Sequence, residues 1–379
     1  MPAWVRKELC RLVFSFFWSG KRELVACTAV TQSPLFGGFS VVDVSFKVRA
    51  LLGQWVRRAV SSPSDWCTML SFYCHSHFGV TPLVVFSRPF SFDPRVLPPF
   101  YESLILAWRG LNGSFSTCHN HLIFGSSCPL VCTPASDMST KSCYSYLLSE
   151  NMVQPHCIEK FNLVYPSLDW PATWRSLSLF DLVRLVIDLN RKIAHGVLYT
   201  AHRLVSFGLP VPLPCFCGAP VETLEHLFFY CPPAQSILSW LQSLMFCFSS
   251  MCPVLLLHHV LFGFNCDELI LIATPRIFVY LLNLSKFCIW QSRNDFRFRN
   301  TRPGAVTVMA NILSRLKHHL PIFFKRFKSD RRRHFFHRQW GARGTIASVM
   351  RFEIDRARDV AGEPSIADMI AIAIKILEK

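Results

Sequence analysis

The sequence predicts a mainly α-helical fold, an irregular helical assembly in which a small Cys/His knuckle is a candidate metal site. Hydrophobic residues make up 51% and aromatic residues 14% of the 379 positions, which excludes a largely disordered chain. Apolar residues recur at helical spacing in several stretches, which indicates helices that face a core. The knuckle is expected in the Cys/His-rich stretch 214–233, as a Cys-x-Cys hairpin followed by a short helix.

The first 110 residues combine helical and extended patterns. A helix is expected to end at Gly20, and a glycine turn, an extended stretch and an amphipathic helix follow it. Proline, serine and glycine then dominate residues 87–142, a composition typical of loops, so the first domain boundary is expected there. One side of the amphipathic helix carries apolar residues, which are Val48, Leu51, Leu52, Trp55 and Val56.

Core-facing helices are predicted on both sides of the Cys/His-rich stretch. After it, apolar helices continue to about Arg293, and an amphipathic helix is expected near 306–320. Before it, two sets of apolar residues recur at helical spacing. They are Leu179, Leu182, Val183, Val186 and Leu189, and then Ile193, Val197 and Leu198.

The net charge of +16 is concentrated towards one end of the chain. Between Lys286 and Arg351, 16 lysines and arginines face only Asp295 and Asp330, which gives a local balance of about +14. The rest of the chain therefore contributes about +2. Composition and charge together predict three regions, namely 1–135 with a linker, 140–285 with the knuckle at about 195–245, and a basic region 286–379.

The high apolar content raises the alternatives of a membrane span or a secretion signal. Residues 226–266 contain no Asp, Glu, Lys or Arg, but prolines and polar side chains interrupt them, so buried helices are the preferred interpretation. The N-terminal apolar stretch is short and is interrupted by Glu8 and Arg11, which favours an amphipathic helix over a signal peptide. We therefore expect an intracellular protein, nuclear or cytoplasmic and not secreted, with mostly reduced cysteines and no membrane partner.

The stretch PCFCGAPVETLEHLFFYCPP offers four candidate metal ligands, Cys215, Cys217, His226 and Cys231. Three thiolates and one imidazole form a donor set that Zn²⁺ takes in structural sites. A coincidence stays open on spacing alone, because Cys-x-Cys is tighter than usual and the chain has 16 cysteines and 14 histidines. Two weaker clusters lack completing ligands and are expected to be core or loop residues. They are Cys74, His75 and His77, and Cys118, His119 and His121.

Local sequence signals around these candidates are consistent with a knuckle. Gly218 lets the chain turn back after Cys-x-Cys, and a short helix follows with Glu222 and Glu225 near its start, where carboxylates are favourable against the helix dipole. In a continuous helix His226 and Cys231 would point about 140° apart. The helix is therefore expected to unwind by Cys231, because Pro232 pushes the preceding residue out of the helical region.

The stretch CFCGAPVETLEHLFFYCPPAQSILSWL resembles the zinc-binding segment near the C-terminus of reverse transcriptases from non-LTR (LINE-type) retrotransposons. That segment reads Cys-x-Cys-Gly, then Glu-Thr/Ser-x-x-His-Leu-Phe, then Cys-Pro, and a tryptophan-containing helix follows it. Flanking stretches such as LDWPATW, HGVLYTAHRLVSFGL and NLSKFCIWQSRNDF are similar to the same family in the same order. The resemblance implies that residues 1–135 follow the polymerase thumb. It also implies that one structural Zn²⁺ is bound by Cys215, Cys217, His226 and Cys231.

Polymerase chemistry is not expected from this chain. Family polymerases hold two Mg²⁺ ions with paired carboxylates in an aromatic-x-Asp-Asp hairpin. The chain contains no Asp-Asp pair, and the acidic and histidine cluster of the family endonuclease is also absent. We therefore expect a non-catalytic part of such a reverse transcriptase, without a small-molecule substrate. Two alternatives stay open: a decayed reading frame without selected activity, and a membrane protein that uses 226–266.

The basic region interleaves cationic and aromatic side chains, as in FFKRFKSDRRRHFFHRQWGARG. Basic groups neutralise phosphates with release of counterions, and aromatic faces stack on unpaired bases. The alternative is a solvated basic face whose phenylalanines belong to the core. The preferred interpretation is RNA or DNA binding without strong sequence preference. The candidate residues are Lys325, Arg326, Lys328, Arg331, Arg332, Arg333, Arg338 and Trp340.

Overall fold

The computed structural model confirms a mainly helical protein. It describes residues 2–20, 23–61, 64–86, 93–112, 114–116, 121–124, 133–134, 139–177, 182–248, 252–265, 267–268 and 275–326. The described part of the chain divides into two compact units. Unit 1 comprises described residues of 1–33 and 38–154, and unit 2 comprises described residues of 34–37 and 155–326. The three regions expected from composition remain predictions.

Unit 1 is built around the packing of α3 against α6 and α7. Its largest core side chain, Trp108, is 1% exposed and donates from Nε1 to the carbonyl of Phe86 at 3.1 Å. A buried indole N–H with a partner avoids the cost of an unsatisfied donor. The helices of unit 1 are α1 Ala3–Phe17, α2 Cys27–Val30, α3 Val44–Ser61, α4 Asp65–Phe78, α5 Pro82–Val85, α6 Pro99–Gly110 and α7 Thr140–Glu150. A 3₁₀ turn lies at Pro94–Val96.

A small antiparallel sheet lies within the stretch whose composition predicted loops. Its strands are β1 Ser114–Ser116, β2 His121–Phe124 and β3 Thr133–Pro134, in the order β1-β2-β3. Phe115 pairs with Leu122, and Ile123 pairs with Pro134. Because β3 pairs with β2 alone among the described strands, Pro134 sits on an outer strand, the position to which proline is usually confined within sheets.

Unit 2 surrounds the long helix α14, which packs against α10, α12 and α15. Fully buried aromatic side chains such as Trp240, Phe228 and Phe278 form its core. The helices of unit 2 are α8 His156–Asn162, α9 Trp170–Leu177, α10 Arg184–Ala194, α11 Ala201–Ser206, α12 Pro232–Phe248, α13 Leu257–Phe262, α14 Pro275–Arg299 and α15 Ala305–Arg326. A 3₁₀ turn at Pro34–Phe36 and a π-helix at His226–Tyr230 complete the described elements.

The 3₁₀ turn of unit 2 ends in a tight contact at Gly37. This residue has φ +81°, and a Cβ there would lie 2.8 Å from the ring of Trp174. Its carbonyl oxygen accepts a hydrogen bond from Nε2 of His195 at 2.8 Å. Both the positive φ and the close ring require glycine at this position.

Several helix predictions are confirmed, and one predicted face is corrected. Helix α15 covers the amphipathic pattern expected near 306–320, and α1 ends at Phe17, shortly before Gly20 with φ +70°. On α3, however, Leu51 is 48% exposed, whereas Ala50 and Val56 are fully buried. Val56 was part of the predicted face and Ala50 was not, so the buried stripe keeps Val56 but is rotated towards Ala50 and away from Leu51.

Hydropathy raised the question of a membrane span. In the part of the chain that the structure describes, no helix is both long and apolar enough to cross a bilayer.

Candidate metal centre

The Cys-x-Cys segment folds into a tight hairpin. The amide of Cys215 donates to the carbonyl of Ala219 at 2.8 Å, and the amide of Glu222 donates to the carbonyl of Leu213 at 2.9 Å. Between these bonds, the amide of Gly218 donates back to the carbonyl of Cys215 at 2.9 Å. Gly218 has φ +97°, the left-handed backbone that the sequence predicted for this turn.

The short helix after the hairpin starts with a side-chain cap that the sequence analysis did not identify. The hydroxyl oxygen of Thr223 accepts a hydrogen bond from the amide of His226, three residues later, at 3.1 Å. This is the bond that an N-cap threonine makes, and it stabilises a helix by about 1 kcal/mol. The cap fixes where the helix begins and therefore the direction in which the His226 ring leaves it.

The helix then widens into the π-helix His226–Tyr230, which ends at Cys231. The amide of Cys231 donates to the carbonyl of His226 at 2.7 Å, an i→i−5 bond. A wider turn brings residues five apart back towards one side, instead of the roughly 140° separation of an α-helix. Cys231 itself is extended, with φ −68° and ψ 127°, and Pro232 begins α12. The predicted unwinding at Cys231 is confirmed, although the π-helix was not expected.

Hairpin and π-helix together bring the four predicted ligands to one point. The ligand atoms lie within 4.8 Å of one another: they are the Sγ atoms of Cys215, Cys217 and Cys231 and one imidazole nitrogen of His226. Sγ of Cys215 is 3.8 Å from Sγ of Cys231, and Sγ of Cys217 is 3.2 Å from Nε2 of His226. Tetrahedral Zn–S bonds of about 2.3 Å would place two sulfurs about 3.8 Å apart. The cluster can hold a metal ion, and its donor set fits Zn²⁺.

Two cysteines of the cluster are buried in contact with each other, and this contact decides which of them carries the thiolate, the form that binds metals. Cys215 and Cys231 are 4% and 0% exposed. The contact between the two sulfurs lowers the pKa of Cys215 and raises the pKa of Cys231. Without a metal the pair thus shares one proton across a buried contact. A bound cation would replace that proton and neutralise the thiolates.

A buried ion pair links the knuckle to α14. Nε and Nη2 of Arg293 donate to the carboxylate of Glu222 at 2.7 to 3.1 Å, and the two residues are 4% and 0% exposed. The Glu222 carboxylate also accepts from the amide of Ala201 at 2.9 Å. The expected interaction of Glu222 with the helix dipole is therefore wrong. Glu222 precedes the capping Thr223, and its carboxylate points into the protein.

Arg297 extends this linkage to the start of the hairpin. Its guanidinium donates to the carbonyls of Pro212 and Pro214 at 2.8 and 2.7 Å, and to the Glu222 carboxylate at 3.3 Å. Pro214 directly precedes the first ligand, Cys215. Two arginines one turn apart on α14 therefore hold the backbone that enters and leaves the hairpin.

Lys286 lies on the same helix but is buried without a hydrogen-bond partner among the described residues. Its side chain is 0% exposed, and burial lowers the pKa of the amine to about 7. Charge distribution alone predicts that this lysine belongs to the basic region 286–379. Its position in the core removes it from any surface that could contact a phosphate.

The other predicted site residues are only partly within the described residues. Lys325 and Arg326 lie at the end of α15, whereas Lys328, Arg331, Arg332, Arg333, Arg338 and Trp340 lie outside the described part of the chain. Of the two weaker Cys/His clusters, Cys118 and His119 also lie outside it. Cys74, His75 and His77 lie on α4, where Cys74 is buried and the two histidines are exposed. They do not converge as the knuckle residues do.

A second group of metal-binding side chains was missed by the sequence analysis. His258, His259 and Glu268 place one ligand atom each within 4.8 Å of one another. In the sequence these two histidines lie within 226–266, where they count among the polar side chains that argue against a membrane span. Their adjacency was the available signal, but the carboxylate nine positions after His259 was not recognised as a partner.

Comparison with known proteins does not identify a family for this chain, so the functional proposal rests on the geometry of the site and on the sequence resemblance. No protein-family model matches the chain, and no curated protein is significantly similar to it.

Proposed function

We propose that the protein is a non-catalytic, zinc-containing part of a non-LTR retrotransposon reverse transcriptase, and that it binds RNA or DNA without strong sequence preference. The observation that carries the proposal is the convergence of Cys215, Cys217, His226 and Cys231. These are the positions that the family resemblance assigned to zinc.

Other residues of the same motif support the proposal through their contacts. Thr223 of the Glu-Thr-x-x-His pattern caps the helix that carries His226, and Glu222 pairs with Arg293. Arg293 belongs to the flanking stretch NLSKFCIWQSRNDF, which the resemblance matched separately. Residues 71 positions apart that match one family thus meet in one buried contact.

Zinc would have a structural role in this proposal. Three thiolates and one imidazole occupy all four coordination positions of a tetrahedral zinc ion, so none is left for water or substrate. The ion would fix the hairpin against the π-helix, and the ion pair would fix both against α14. Helix α14 leads through residues 300–304 to α15, and α15 ends at Arg326, beside the basic stretch. The knuckle would therefore brace the helices that carry the nucleic-acid-binding region.

Binding is tested by titrating the full chain against single-stranded RNA and duplex DNA at several salt concentrations, with fluorescence anisotropy as the readout. We expect affinity to fall steeply with salt, because each neutralised phosphate releases counterions. The triple variant Arg331→Gln, Arg332→Gln, Arg333→Gln should weaken binding and reduce the slope of log K against log salt by about 2 on single strands.

The matched control removes three basic residues elsewhere. Arg6, Lys7 and Arg11 are exposed on α1, and their replacement by glutamine changes the net charge equally. This variant should keep most of the affinity. If both triple variants lose affinity equally, the basic stretch is not the binding region. If wild-type binding is absent or independent of salt, the nucleic-acid function is wrong.

A further inference from the structure

A buried histidine and a carboxylate form a prearranged pair beside α13. The Nε2–H of His259 donates to Oε1 of Glu268 at 2.8 Å, and His259 is 2% exposed. The ring of His259 stacks on Phe264, with centroids 5.0 Å apart. The other oxygen of Glu268 accepts from the amide of Asn265 at 2.8 Å. Ring and carboxylate are thus both held in fixed orientations.

The backbone around His259 can accommodate either neutral form of the ring. Nδ1 lies 3.0 Å from the amide of Leu256, a donor, and 3.1 Å from the carbonyl of Val254, an acceptor. With the proton on Nε2, Nδ1 accepts from Leu256. With the proton on Nδ1, the ring donates to Val254 and frees the Nε2 lone pair. A histidine that binds metal commonly donates its other N–H to a backbone carbonyl in this way. The exchange gives up the bond from the amide of Leu256.

His258 supplies a third ligand atom to the same place. Its ring centroid is 4.0 Å from that of His259, and its ligand atom lies within 4.8 Å of those of His259 and Glu268. It makes no hydrogen bond within the described residues, and its half-buried ring faces Tyr165 at 6.2 Å. Its imidazole nitrogens are therefore available to a ligand.

We propose that His258, His259 and Glu268 form a second metal site, separate from the Cys215–Cys231 knuckle, for a divalent transition-metal ion. Two imidazoles and one carboxylate suit Zn²⁺, Co²⁺ or Ni²⁺, whereas Mg²⁺ and Ca²⁺ prefer oxygen ligands alone. The ion would take the place of the proton between His259 and Glu268. Three protein ligands leave at least one coordination position for water. Glu268 is 26% exposed, so the site is reachable from solvent.

Cobalt titration of the metal-stripped, reduced full chain tests the site, because thiolate and nitrogen–oxygen ligands give different spectra. Co²⁺ bound to cysteines gives sulfur-to-metal charge-transfer absorption, and Co²⁺ bound to histidine and carboxylate does not. We expect two equivalents of Co²⁺ per chain. Cys217→Ser should alter binding only of the Co²⁺ equivalent that shows charge-transfer absorption. Glu268→Gln should lower the affinity only for the other Co²⁺ equivalent, by at least about tenfold.

His258→Gln provides an independent variant that leaves the His259–Glu268 pair in place, and it should have the same effect as Glu268→Gln. The control is His156→Gln, which removes a histidine from an exposed His–Glu pair, His156–Glu159, that has no third ligand among the described residues. It should leave both equivalents unchanged. If the wild-type chain binds only the thiolate-ligated equivalent, the proposal is overturned. A second equivalent that persists in both Glu268→Gln and His258→Gln also overturns it.

Discussion

Arg293 and Glu222 form a bidentate ion pair in the interior of unit 2, with Nη2 of the arginine 2.7 Å from Oε1 of the glutamate. The guanidinium also lies over the Trp290 ring, 4.7 Å from its centroid. Two buried charges are tolerated only when each satisfies the other, since an unpaired charge in a core is strongly unfavourable. The pair therefore ties the position of the knuckle to α14.

We predict that Arg293→Met lowers the free energy of unfolding by about 3 kcal/mol, because the buried Glu222 carboxylate then keeps only the amide of Ala201 and the longer contact from Arg297. Urea unfolding monitored by circular dichroism measures the change. Arg299→Met on the same helix is the control, since Arg299 pairs with Asp295 while 77% exposed. It should cost less than about 1 kcal/mol. Equal losses in the two variants would contradict the structural role of the buried pair.

Metal removal should destabilise the protein through the knuckle. Chelation of the wild-type chain is expected to lower the midpoint of thermal unfolding by roughly 5–10 °C, because the metal binds only the folded ligand set. Cys217→Ser should start from the lower midpoint and respond little to chelator. Cys10→Ser, which alters a half-buried cysteine outside the knuckle, should behave as wild type. A wild-type chain that is indifferent to chelator would favour a fold that does not depend on metal.

The features predicted from sequence are those encoded by residues close together in the chain. Gly218 at the turn and Pro232 after Cys231 each act on their immediate neighbours, so hairpin and helix end could be anticipated. The amphipathic pattern of α15 likewise identifies the face of that helix that is buried. Thr223 belongs to this local class too, and its cap could have been read from its spacing to His226.

The features that were missed are of two kinds. Some depend on partners that are far apart in the sequence, and others on backbone geometry that no particular residue type marks. Glu222 and Arg293 are 71 positions apart, and neither neighbouring sequence identifies the other as its partner. The charge count assigned Lys286 to the basic region because composition does not distinguish a buried side from an exposed one. The π-helix was not anticipated because no residue propensity at 226–230 marks a π-helical turn.

Replacing the buried lysine should stabilise the protein. Lys286 has a pKa lowered by burial from 10.5 to about 7, so the unfolded state binds the proton more tightly than the folded state. Stability from this group should therefore rise as pH increases from 7 to 10.5. We predict that Lys286→Met raises the free energy of unfolding at pH 7 by on the order of 3 kcal/mol and removes the rise between pH 7 and 9.

Urea unfolding at pH 7 and pH 9 provides the measurement. The matched variant is Lys160→Met, at an exposed position of α8, which should shift stability by no more than about 0.5 kcal/mol. If Lys286→Met is instead destabilising at pH 7, the amine has a partner in the folded protein and is not an isolated buried base.

His195 is held neutral between two fixed groups in unit 2. Its Nε2–H donates to the Gly37 carbonyl at 2.8 Å, so Nδ1 is the acceptor that faces Sγ of Cys157 at 3.4 Å. Burial lowers the pKa of His195 to about 4, and the nearby charge of Arg191 acts in the same direction. The thiol of Cys157 has a pKa raised by burial to about 12, so it supplies no negative charge to the ring.

Acid should therefore destabilise the fold through His195. Its folded pKa lies below the ordinary 6.5, so the unfolded state takes up the proton first, and stability is full above pH 6.5 and is lost as the pH falls towards 4. At pH 5 the loss is about 2 kcal/mol. His195→Gln keeps a donor for Gly37 but does not titrate, so it should show less loss between pH 7 and 5. The exposed control His202→Gln should retain the wild-type loss, and equal pH dependence in all three proteins would mean that His195 is not the group responsible.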